Sequence, residues 1–175
     1  RRGPLLGWGR VRHTPPVRFR HVLSYDATHD EVFDMIADAE FRELVAGRQL
    51  AVRHAVDLRD TDGGMEVMVE LVRPTDGLPA FAAAMVGPDI TTRQRELWRT
   101  RDRACLDLFV PGKPARMEGT ITLAETDGVT TQTVSGEITV SVPFIGGKVE
   151  GVIADLFRMA LDVEQGAGVE WLGEL

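Results

Sequence analysis

The chain has little of what fixes structure or chemistry covalently. Of its 175 residues only Cys105 is a cysteine. That excludes an intrachain disulfide framework and a thiolate metal cluster, and it suits a reducing, cytoplasmic setting. The four histidines, His13, His21, His29 and His54, show no ligand spacing, so neither a metal nor a cofactor is expected. Aromatic residues make up 6% of the chain, so the place of each ring matters. No apolar run approaches the roughly 18 to 20 residues of a bilayer-spanning helix, which argues against stable membrane insertion. Phosphate-binding signatures are missing too. Gly146-Gly147-Lys148 lacks the upstream glycine and the following Ser or Thr of a phosphate loop, and no dinucleotide fingerprint occurs.

What is present is ordinary for one globular domain: 43% hydrophobic and 27% charged residues, in a chain long enough to bury a core without staples. The net charge of −7 is unevenly spread. Residues 1–16 hold Arg1, Arg2, Arg10 and Arg12 and no acid, which leaves the remainder at 16 basic against 27 acidic side chains, a net of −11. So acidic a body repels nucleic acid and anionic membrane, and no nucleic-acid partner is expected. Residues 1–16 are rich in Gly and Pro, show no periodicity and lack the continuous apolar core of a signal peptide. They read as a flexible basic extension ahead of a domain spanning 17–172.

Within that domain the hydrophobic period changes repeatedly. Residues 17–25 alternate as a strand. Thr28 and Glu31 have capping-box spacing, which predicts a helix over 31–37; a second follows over 39–46, ended by Gly47. From Leu50 the period is 2: Leu50, Val52, His54, Val56 and Leu58 share one face, and a loop at 60–64 leads to a strand whose Met65, Val67, Val69 and Leu71 face inward. A short helix is expected near 79–86. Strands are expected over 89–99, 104–110, 115–125 and 130–142. The strand over 89–99 is unusual. If Trp98 faces the core, Glu96, Gln94 and Thr92 come with it, and buried polar groups need partners, a guest or water. Residues 149–165 then carry apolar side chains at helical spacing, Val149, Val152, Ile153, Leu156, Phe157 and Ala160 among them, so one face must be covered by the sheet before it.

This order of one strand, two helices, six strands with a small inserted helix and one long helix resembles the START-like helix-grip fold. That α+β fold, shared by birch-pollen-allergen type proteins, lipid-transfer START domains and polyketide cyclase/dehydratases, wraps a seven-stranded antiparallel sheet around a long C-terminal helix. Four strings, Arg18-Phe19-Arg20-His21-Val22-Leu23-Ser24-Tyr25, Pro74-Thr75-Asp76-Gly77-Leu78-Pro79, Pro111-Gly112-Lys113-Pro114 and Val142-Pro143-Phe144-Ile145-Gly146-Gly147-Lys148, further resemble one bacterial domain family of unknown function within that superfamily. If members of that family begin near the first string, Val17 is a candidate valine start codon.

The resemblance implies a cavity between the sheet and the C-terminal helix, and hence a hydrophobic small molecule, lipid or polyketide-like, as the expected partner. Val69, Leu71, Gln94, Trp98, Met117, Phe144, Val152, Leu156 and Met159 are the expected lining. His54 and Glu96 are the polar groups that would orient a guest. The same pair keeps a cyclase or dehydratase open as an alternative, by general acid and base catalysis on an oriented substrate. A third alternative is a ligand-free interaction module, which could form a homodimer through an exposed sheet edge.

Overall fold

The computed structural model describes residues 15–174, so most of the expected basic extension, residues 1–14, lies outside the described residues. β1 (Val17–Tyr25) buries Phe19, Leu23 and Tyr25, the inward set of its alternation. α1 (His29–Ile36) opens on the expected capping box: the Thr28 backbone N–H donates to the Glu31 carboxylate at 2.8 Å, and the Glu31 N–H donates to the Thr28 hydroxyl. α2 (Ala39–Arg48) is capped by Asp38, whose carboxylate accepts from the Glu40 N–H at 2.7 Å. It runs past Gly47, which does not end it. The chain leaves the helix instead through Leu50, at a left-handed φ of 58°. Leu50 and Val52 therefore stand exposed, not on a half-buried strand face, because β2 (Arg53–Thr61) begins only beyond that turn.

β2 and β3 (Gly64–Pro74) form a tight hairpin. Gly64 is obligatory there: its φ is 134°, and a Cβ would lie 1.8 Å from the Trp98 carbonyl oxygen. α3 (Ala80–Val86) links β3 to β4 (Asp89–Thr100), and β5 (Arg103–Phe109), β6 (Ala115–Thr126) and β7 (Val129–Val140) follow as a meander. The seven strands make one antiparallel sheet in the order β1-β7-β6-β5-β4-β3-β2, so β1 and β2 are its edges.

α4 (Gly146–Gly173) is 28 residues long and lies over β1 and β7, with α1 and α2 against it. Its Phe157 ring meets Phe19 at 5.1 Å between centroids. The helix exceeds the expected 149–165 by two turns at its C-terminal end, because Gly168 does not break it. A Cβ at Gly168 would come within 2.6 Å of the Tyr25 ring, so this glycine lets helix and sheet approach closely. Beyond it Trp171 packs edge-on against Phe41, 5.6 Å away, and anchors the last turn. Among the described residues no helix is long and apolar enough to cross a membrane.

Candidate functional site

The inner face of the sheet is built in rows, since residues paired across an antiparallel ladder share a face. One row runs Leu58, Val67, Glu96, Leu106, Gly119, Gly136, Phe19 from edge to edge. The next runs Val56, Val69, Gln94, Leu108, Met117, Ile138.

The first row is closed at its centre, where Val67, Glu96 and Leu106 are buried. Trp98 faces inward and brings Glu96 with it; each is only 1% exposed. Their partner is Arg42 of α2. Its Nη1 and Nη2 donate to the two Glu96 carboxylate oxygens at 2.9 and 2.8 Å, and its Nε donates to the Ile36 carbonyl at 2.7 Å. Gln94 Nε2 and Trp98 Nε1 each donate to Glu96 at 2.8 Å, so four donors converge on one carboxylate. Arg42, next to Phe41, reads as a surface charge until α2 is packed against β2 and α4, from where its side chain reaches Glu96. The polar content of β4 thus finds its partner within the protein, and the deepest part of the space assigned to a guest is filled by the Arg42 side chain.

A second polar group adjoins this one. Glu164 of α4 is buried and accepts from Gln132 Nε2 at 2.9 Å. Burial holds its carboxyl above the usual range, Arg42 opposes that and Glu96 adds to it. For Arg42, burial disfavours the charge, but the carboxylates of Glu96 and Glu164 outweigh it and raise its proton affinity. The buried Tyr25 phenol is likewise pushed up, by desolvation first and by Glu164 second.

The second row is open over part of its length. Met117 and Ile138 are buried under α4, whereas Val56, Val69, Gln94 and Leu108 remain half-buried because α4 lies towards β1 and β7. From the helix side, Val152 and Ile153 are half-buried, Leu156 is 38% exposed and Met159 is 64% exposed. Leu71 is buried beside Val69 on β3. The structure therefore brings Val69, Gln94 and Met117 into one row, with Trp98 and Leu71 as buried neighbours on the same two strands. Phe144 is not among them: it has a left-handed φ of 68° and a ring wholly exposed in the turn before α4.

His54 and Glu96 do not meet. His54 pairs with Leu71 on β3, and its Nε2 lies 2.7 Å from the Glu43 carboxylate on the surface of α2, whereas Glu96 is saturated by Arg42, Gln94 and Trp98. Among the described residues no three His, Cys, Asp or Glu side chains are grouped to hold a metal ion. Two shallow depressions lie elsewhere. One, of about 560 Å³, is lined by the turn 109–116 with Asp107, Thr139 and Ser141; the other, of about 460 Å³, lies at Arg18, Arg20, Gly119, Gly136 and their neighbours.

At the rim of the open strip is Arg73, two residues beyond Leu71 on the inner face of β3. Its Nη2 donates to Gln49 Oε1 at 2.6 Å, and Gln49 Nε2 donates in turn to the Ala160 carbonyl of α4 at 3.3 Å. Arg73 Nε is shut off from water without a hydrogen-bond partner among the described residues. Burial alone lowers the proton affinity of this guanidinium.

An antiparallel seven-stranded sheet folded about a long C-terminal helix, with two helices closing one end, defines a START-like helix-grip protein. Residues 20–172 match the model of the family described as "Protein of unknown function (DUF2505)", and the chain belongs to that family. An uncharacterised protein of Mycobacterium tuberculosis is 26% identical over 169 residues, which covers 90% of this chain and 97% of that one. Among solved structures, the Zhui aromatase/cyclase from Streptomyces sp. R1128 superposes with a TM-score of 0.63 at 12% identity, covering 90% of this chain and 93% of its own. A START superfamily protein from Mycobacterium smegmatis does so at 0.59 and 11%, covering 89% and 98%. At such identities the likeness is one of fold.

Proposed function

We propose that this protein binds and carries a hydrophobic small molecule, lipid or polyketide-like, on the open strip between α4 and the inner faces of β2 to β5. One observation carries the reading: a row, Val56, Val69, Gln94 and Leu108, apolar but for Gln94, that the closing helix leaves half-buried. The strip crosses three strand spacings, about 14 Å. If a guest buried about ten methylenes there, the gross gain would be about 8 kcal/mol, which corresponds to micromolar affinity before the costs of ordering. The solved relatives with an aromatase/cyclase or a START title lend the reading support from fold. Carriage without conversion is favoured by Glu96, whose oxygens are already occupied by four donors and are not free to take a proton from a substrate. A cytoplasmic setting goes with the same reading.

Native mass spectrometry of protein purified from its own host tests the proposal. A co-purified apolar mass, lost from a Val69→Trp variant that melts like the parent, is expected. An empty protein that also fails to bind a fluorescent apolar probe would overturn it.

A further inference from the structure

We propose that Arg73 is a receptor for the acidic head of the guest, so that the ligand class is a monocarboxylic acid with a long apolar body. This rests on the reading above and narrows it.

A guanidinium moved out of water needs acceptors for its N–H groups and a counter-charge. Arg42 has both in Glu96. Arg18, Arg20, Arg53, Arg99 and Arg103 have no carboxylate within ion-pair distance among the described residues, but all five are exposed and water solvates them. Arg73 alone among the described arginines is half-buried without a carboxylate beside it. Its single acceptor is the neutral Gln49 amide, and its Nε is enclosed with nothing to donate to.

The position of this unmet charge is specific. Arg73 continues the inward series Val67, Val69, Leu71 on β3 and pairs with Ile90 on β4. The row at Val69 and Leu108 lies two strand repeats away, past Leu71, and Thr92, paired with Leu71, puts a hydroxyl on the same face. Gln49 ties the guanidinium towards α4 through the Ala160 carbonyl, which fixes Nη2 and leaves Nη1 without a hydrogen-bond partner among the described residues. A carboxylate can reach Nη1 and accept a charge-assisted hydrogen bond there, and an apolar chain attached to it would run past Leu71 onto the strip. One unpaired cation calls for one negative charge.

The test compares cis-parinaric acid with its methyl ester, by probe fluorescence, on the wild-type chain and on Arg73→Met and Arg73→Lys. The wild type should bind the acid about tenfold or more tightly than the ester, the lower end of what a charge-assisted hydrogen bond contributes. Arg73→Met should erase that preference, and Arg73→Lys should retain part of it. Equal binding of acid and ester by the wild type, or an unchanged preference in Arg73→Met, would overturn the role of Arg73 and leave the carrier reading standing. Binding of neither probe would overturn both. If Arg73→Met does not fold, as judged by its thermal melt, the acid-to-ester ratio of the wild type and of Arg73→Lys decides.

Discussion

Arg42→Met is the sharpest test of how the interior is held. The substitution removes three donors at once, two to Glu96 and one to the Ile36 carbonyl, and leaves a buried carboxylate with only Gln94 and Trp98 donating to it. Breaking one half of a buried ion pair costs about 3–5 kcal/mol, because the abandoned charge must be desolvated or protonated. For a domain of this size each kcal/mol moves Tm by about 2–4 °C, so the melt should fall by about 6–20 °C. Removing both partners is a different case. Arg42→Met with Glu96→Leu substitutes an apolar pair of similar bulk, and such replacements are often neutral or stabilising. Urea denaturation of both single variants, the double variant and the parent closes a double-mutant cycle. A large single-site loss with substantial recovery in the double variant is expected. If Arg42→Met lost under about 0.5 kcal/mol, the size of an ordinary surface substitution, the buried pair would not exist in solution.

Glu164 has a folded-state pKa above its unfolded value, so the stability tied to its proton is fully present below the unfolded pKa, about 4.3, and is lost as pH rises through the raised folded value. Urea midpoints should therefore show Glu164→Gln gaining on the parent between pH 5 and pH 8, and an offset independent of pH would refute the assignment. Gly168→Ala should lower Tm, because its methyl would collide with the Tyr25 ring and the Met35 side chain, whereas Gly166→Ala, with open space around it, should raise it slightly. Thr28→Ala should cost about 1 kcal/mol by denaturant titration, through loss of the capping box.

Much of the fold was legible because it rests on local rules. The alternation over β1, the Thr28 and Glu31 spacing and the strand meander after residue 89 each carry their own period, and together they specify the helix-grip order. The register of β4 was legible as a choice: period 2 ties Glu96, Gln94 and Thr92 to Trp98, and the structure takes that option. What stayed hidden depends on which element crosses which. Arg42 follows Phe41 on a short helix and is indistinguishable from a solvated charge until α2 packs against β2 and α4 and its side chain reaches Glu96. Arg73 sits next to Pro74 near a strand end, where polar residues commonly face water, and only the α4 carbonyl reached through Gln49 marks its side chain as inward. His54 has the parity of an inward residue, but β2 is an edge strand and α2 supplies Glu43 there. Phe144 reads as a candidate lining ring from composition alone, and the left-handed turn before α4 sends it outward.

Titration of a protein carrying 13C-labelled methyl groups with cis-parinaric methyl ester, followed by NMR, addresses the central claim most directly. The methyls of Val69, Leu108, Ile153 and Leu156 should shift together and saturate with one affinity, while Leu161, packed in the closed core, stays near its starting position. If those four signals do not move, or if the response centres on the depression around Val110 to Ala115, the strip between α4 and the sheet is not where this protein holds a guest.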